Sequence, residues 1–350
     1  MNHAVSSRFL SVVALAVATF ASAPAQATSY SSLVVFGDSL ADNGNNAAFG
    51  LFDPNQVVTG NAYIPSNTYF PKTYSNGPVW ATDFAALLGL PLLPSALGGT
   101  DYAFGGATTG TPGPGQGGFP FSLEVQAAMY LGAANNVASP SALYAIEGGG
   151  NDARAALNAI AQGANPTVTI AAAANSFASN IGTIVDELRN AGAQHIVVWD
   201  SPNLGLAPAV VAGGAASAAT FLSAAMNSAL TSRLVGETGV LTFDIFGLGS
   251  AIAQHPGTYG LTNTTDACGA LTGVDCSKYA YWDGIHPTAA AHGIIANALL
   301  AVVAPVPEPE TWALTLLGLT LLGWKSRRSR ATTVGEVDLS VAIDRRVTTN

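Results

Sequence analysis

Charge is scarce in this 350-residue chain: Asp, Glu, Lys and Arg together make up 9% of it, against roughly 25% in an average soluble domain. Basic charge is scarcer still. Residues 28–305 hold five basic side chains (Lys72, Arg154, Arg189, Arg233 and Lys278) and sixteen acidic ones. A surface so acidic repels phosphate backbones, which argues against a nucleic-acid partner. Cysteine occurs only at Cys268 and Cys276, and two thiols without suitably spaced histidines do not make a metal site. The glycine-rich stretch 108–118 (TTGTPGPGQGG) is followed by no Gly-Lys-Ser/Thr, so it reads as a loop and not as a phosphate cradle. No internal repeat is visible. The composition does not signal disorder, which requires low hydrophobicity and high charge, since 49% of the residues are hydrophobic and 9% charged. The balance suits a large Ala/Val/Leu core beneath a surface made polar by Ser, Thr, Asn and Gln.

The two ends read as addresses. Arg8 and the α-amino group precede an apolar run at residues 9–20, and Ala25-Gln26-Ala27 offers a cleavage site; residues 1–27 are thus expected to be a signal peptide removed by signal peptidase. Near the other end Val306-Pro307-Glu308-Pro309 precedes an apolar stretch at 311–324 and the basic run Lys325-Ser326-Arg327-Arg328-Ser329-Arg330. Fourteen helical residues reach only ~21 Å, short of the ~30 Å hydrocarbon core, so the segment is a marginal span. Its basic cluster would stay cytoplasmic and leave everything upstream outside. The order of Pro-Glu-Pro, apolar helix and arginines resembles the PEP-CTERM sorting signal of Gram-negative bacteria. That resemblance implies export from the cytoplasm and processing by an exosortase. Such signals end soon after the basic residues, whereas here residues 331–350 follow as a polar tail. A plain tail anchor is the alternative. In an exported chain Cys268 and Cys276 are expected to form a disulfide.

Between the ends, residues 28–305 form one expected domain. Short apolar runs at 32–36, 101–104, 143–147, 195–199 and 241–244 read as buried strands. Helix-like stretches at 79–88, 123–131, 167–190, 215–235 and 287–303 alternate with them. This alternation predicts a three-layer α/β/α sandwich around a parallel, doubly wound sheet.

Ligands in such a sheet bind outside the carboxyl ends of the strands, so the residues after each run matter most. Those are Gly37-Asp38-Ser39-Leu40, Gly105-Gly106-Ala107-Thr108 and Gly148-Gly149-Gly150-Asn151-Asp152, with Asp283-Gly284-Ile285-His286-Pro287 opening the last helix. A hydroxyl, glycine N–H groups, a carboxamide, an imidazole and a carboxylate are the parts that acyl transfer needs. Singly each has a plainer reading: Ser39 a helix N-cap, Gly106 and Asn151 turn residues, His286 a surface histidine. Asp38, Asp42, Asn45 and Asp152 read as acceptors that fix their loops. His195, His255 and His292 lack a carboxylate at comparable spacing and read as structural.

The four blocks, in this order, resemble those of the GDSL family of SGNH hydrolases over nearly the whole domain. The resemblance implies a flavodoxin-like sheet, Ser39 as nucleophile, and Asp283 and His286 as its acid and base. It further implies an oxyanion hole made by the N–H groups of Ser39 and Gly106 and the Asn151 side chain. The expected reaction is hydrolysis of carboxylic esters, of acyl lipids or small esters, with no metal or cofactor. An acetylesterase acting on extracellular polysaccharide and a non-catalytic surface protein of the same fold remain alternatives.

Overall fold

The computed structural model describes residues 30–58, 61, 63–110, 118–304 and 317–322. The expected signal peptide, most of the sorting segment and the polar tail lie outside them. Residues 317–322, inside the apolar stretch, are helical and belong to a unit separate from 29–304.

Four parallel strands build the main sheet in the order β1 (Leu33–Phe36), β2 (Leu143–Ile146), β3 (His195–Trp199) and β4 (Val240–Phe243). β1 and β2 are buried along their whole length, as near-continuous apolar runs in a sheet covered on both faces must be. Successive side chains alternate between the faces. Val34, Phe36, Tyr144, Ile146, Ile196 and Val198 pack against one helical layer, and Leu33, Val35, Leu143, Ala145, Val197 and Trp199 against the other. The first layer is α3 (Leu123–Ala133), α4 (Gly150–Ala161), α5 (Pro166–Asn190) and α7 (Ala216–Arg233); the second is formed mainly by α2 (Trp80–Leu88), α8 (Ile245–Gln254) and α9 (Ala289–Val303). Trp80 and Trp199 anchor the second layer with ring centroids 4.4 Å apart. Short helices α1 (Asn45–Ala48) and α6 (Pro208–Ala212) complete the helical set. The architecture is the expected α/β/α sandwich.

Three expectations need correction. Residues 101–104 form no regular strand, although they run beside β1: Tyr102 and Phe104 donate to the carbonyls of Val35 and Gly37, but the pairing is a single bridge at Asp101. Asn45 Nδ2 takes the carbonyls of Asp101 and Ala103 at 2.8 Å each, so a side-chain amide replaces the next strand. Ser39 does not begin a helix either. It sits in a turn, and helix starts only at Asn45, because Asp42 draws the N–H groups of Gly44, Asn45 and Asn46 onto its carboxylate. The last helix begins at Ala289 and not 287, since Thr288 caps it by accepting from Ala291 N–H. The pattern also missed α4, α8, the short helices α1 and α6, and a two-stranded parallel pair, β5 (Asn263–Ala267) with β6 (Tyr279–Tyr281). The sequence of β5, NTTDA, carries no apolar run.

Candidate active site

The carboxyl ends of β1 and β2 deliver two of the four blocks, the run at 101–104 beside β1 leads into another, and the turn between β6 and α9 delivers the last. Ser39, Asp283 and His286 are all buried, at 9%, 0% and 3% exposure. His286 Nε2 lies 2.9 Å from Ser39 Oγ, and His286 Nδ1 lies 2.7 Å from Asp283 Oδ2. The Asp-x-x-His turn is folded by its own carboxylate: Asp283 Oδ1 accepts the N–H groups of Ile285 at 2.8 Å and His286 at 2.7 Å. Gly284 is required there because a Cβ would collide with Asn61, whose Oδ1 accepts the Gly284 N–H at 3.1 Å. Tyr69 donates its hydroxyl to Asp283 Oδ2 at 2.6 Å, and the Tyr74 ring lies beside the His286 ring at 5.4 Å. Burial works against charge on Asp283. The His286 ring, the Tyr69 hydroxyl and the backbone N–H outweigh it and hold the carboxyl below its ordinary value.

Asn151 opens α4 and is held between the neighbours of two other candidate residues. Its Nδ2 donates to the Ala107 carbonyl at 2.9 Å and to Asp38 Oδ2 at 3.2 Å. Gly106 adopts φ 87, a left-handed conformation open to glycine. Among the described residues, the N–H groups of Ser39 and Gly106 make no intramolecular hydrogen bond. All five candidate residues therefore meet at one rim of the sheet. His195, His255 and His292 do not join them: His195 packs against Tyr30, His255 ends α8, and His292 Nδ1 accepts the Trp80 N–H.

Two residues that sequence reasoning passed over also sit here. Glu147, at the end of β2 and 1% exposed, accepts the Asp38 N–H at 3.1 Å. Burial is the main cause that raises the carboxyls of both Glu147 and Asp38, and their proximity adds to it for Glu147. A glutamate closing an otherwise apolar strand run was the visible signal. Arg154, one turn along α4, reaches Asn151 Oδ1 at 3.5 Å. Burial pulls its guanidinium down, opposed by the carboxylates of Asp283 and Asp38. A cation thus stands close to the carboxylates of the site. Asp42 and Asp152 act as anticipated, fixing the loops at Gly44–Asn46 and Thr109. Among the described residues no cluster of three His, Cys, Asp or Glu side chains suits a metal ion. Cys268 and Cys276 form a disulfide with their Cα atoms 5.6 Å apart.

The arrangement can withdraw a proton from a hydroxyl and present N–H donors beside it, which is what acyl transfer from an ester requires. The family model of GDSL-like lipase/acylhydrolase matches residues 33–299. The chain belongs to this family. The model of the PEP-CTERM protein-sorting motif matches residues 305–330. Among curated GDSL relatives, esterase EstA of Pseudomonas aeruginosa is 29% identical over 360 positions, covering 87% of this chain and 51% of that protein. Lipase 1 of Photorhabdus luminescens is 33% identical over 191 positions, covering 54% of this chain and 25% of that protein. The chain spans about half, or less, of the length of these relatives. Among solved structures, the carbohydrate acetylesterase Est24 of Sinorhizobium meliloti aligns over 77% of this chain and 96% of that one, at 17% identity and a TM-score of 0.40.

Proposed function

We propose that the chain is an exported serine hydrolase that cleaves carboxylic esters through an acyl-enzyme on Ser39. The observation that carries this reading is the continuous relay from Ser39 Oγ to His286 Nε2 at 2.9 Å and from His286 Nδ1 to Asp283 at 2.7 Å. His286 takes the Ser39 proton as Oγ bonds to the ester carbonyl carbon. The tetrahedral oxyanion is held by the N–H groups of Ser39 and Gly106 and by Asn151 Nδ2. As the carbon–alkoxide bond breaks, His286 returns the proton to the leaving alcohol. Water then attacks the acyl-enzyme by the same route and frees the acid. Asp283 fixes the imidazole tautomer and stabilises its cationic form without itself taking the proton. For the Asn151 amide to serve the oxyanion, the longer of its two bonds, to Asp38, gives way.

Residues 28–305 constitute the catalytic domain in this reading. The match at 305–330 supports export and sorting, with signal peptidase and an exosortase as processing partners. The test is hydrolysis of p-nitrophenyl butyrate by the purified protein and by Ser39→Ala. Turnover in the wild type and its loss in the variant support the mechanism, and turnover that survives in the variant removes it.

A further inference from the structure

Leu40 follows Ser39 in the chain, and Ile285 and Pro287 flank His286. All three lie in the wall of one cavity, of about 110 Å³. Ile245 and Ile252 of α8 and Ile295 of α9 line it as well. No charged side chain lines it. Most of the lining is apolar, with Asn203, Thr264 and Tyr281 as its polar members, and cavities of comparable size with aliphatic walls, about 150 Å³ in a well-studied case, take up apolar guests.

We infer that this cavity receives the acyl chain of the substrate, which makes the enzyme one for esters of aliphatic acids longer than acetate. The inference rests on the ester hydrolase reading above and names the substrate class for that site. The acyl half is the part of the ester that stays bonded to Ser39 after the alcohol has left, and the chain neighbours of the reacting pair line the cavity. Each methylene transferred from water to such a surface strengthens binding about fourfold. A cavity at this position therefore gives a preference that climbs with acyl length until its far wall is reached.

Gly249 of α8 lines the cavity, and a Cβ there has only Leu206 Cδ1 nearby, at 3.8 Å. Gly249→Met thus fits the helix and sends its side chain into the space that the acyl chain needs. The measurement is kcat/KM on p-nitrophenyl acetate, butyrate, octanoate and laurate, with hexyl acetate as an ester long only in its alcohol. The wild type is expected to prefer octanoate to acetate at least tenfold, and Gly249→Met to lower that ratio at least tenfold. Ala253→Leu, from the same wall, serves if Gly249→Met fails to fold by its melting curve. A flat wild-type series, an unchanged ratio in both variants, or an effect confined to hexyl acetate overturns the inference. The two readings are separable. Calorimetric binding of decanoate to Ser39→Ala, weakened by adding Gly249→Met, reports on the cavity even if no ester is turned over.

Discussion

The Tyr69 hydroxyl and the His286 ring share one oxygen of Asp283: Tyr69 donates to Oδ2 at 2.6 Å, and His286 Nδ1 meets it at 2.7 Å. A hydrogen bond to a buried carboxylate contributes about 1.5–3 kcal/mol, and about 1.4 kcal/mol corresponds to tenfold in rate. Tyr69→Phe removes the donor and keeps the ring. We expect kcat on p-nitrophenyl butyrate to fall about tenfold, with KM little changed. Asp283 is held below its ordinary value, so its contribution to stability is present above about pH 4 and lost as pH falls through the folded value. Losing Tyr69 raises that folded value, and acid unfolding should begin at higher pH in the variant. Equal acid midpoints would show that the Tyr69 bond has no electrostatic weight.

Asn151 carries a second prediction. Removal of one side-chain donor from an oxyanion hole costs about 10²–10³ in kcat. Asn151→Ala is expected to show that loss with KM nearly constant, because the donor matters where charge develops and not where substrate first docks. Its bonds to Ala107 and Asp38 make a small loss of melting temperature likewise expected. A kcat within threefold of wild type would take Asn151 out of the oxyanion hole.

The chemistry of the site was more legible in the sequence than its support. Ser39, Gly106, Asn151 and the Asp283–His286 pair each follow a strand-like run or open a helix, so the rule that ligands lie at strand ends leads straight to them. Tyr69 and Asn61 come from a long irregular stretch where no period of 2 or 3.6 exists to place a side chain. Only the closed fold shows that they brace Asp283 and Gly284. The run at 101–104 has strand-like composition, yet Asn45 competes for its carbonyls, and a long-range side-chain bond of this kind leaves no local trace. Glu147 was readable in principle, since a charged residue ending a buried strand must find a partner.

Glu147 and Asp38 lead to a prediction about pH. Burial raises both carboxyls, so the folded protein keeps protons that the unfolded chain releases above about pH 4. Over the window between that ordinary value and the folded one, stability falls as pH rises. His292 works in the opposite sense: burial, with the charge of His286, pushes its ring down to about 3, so its contribution grows as pH rises through the ordinary histidine value of about 6.5. Melting temperatures followed from pH 4.5 upward and compared between the wild type and Glu147→Gln cancel the His292 slope and read the Glu147 carboxyl. Glu147→Gln keeps an acceptor for the Asp38 N–H and cannot ionise. The wild type should lose melting temperature relative to the variant as pH rises. Parallel slopes would mean that Glu147 does not titrate there.

The disulfide offers a test that separates folding from chemistry. Cys268 and Cys276 stand eight residues apart, and closing so short a loop stabilises by about 2–3 kcal/mol on the chain-entropy estimate. The loop is also tied to the site, since the Gly269 N–H donates to the Trp282 carbonyl at 2.6 Å, directly before Asp283. That bond is between backbone groups, and Ser66 and Asn67 hold the Gly269 carbonyl from the other side. The local geometry therefore has support besides the cross-link. Replacing both cysteines by alanine is expected to lower the urea midpoint by the equivalent of about 2–3 kcal/mol, while kcat at 25 °C stays within about twofold. A fall in kcat beyond tenfold in protein that is still folded would mean that the cross-link itself holds Asp283 in register with His286.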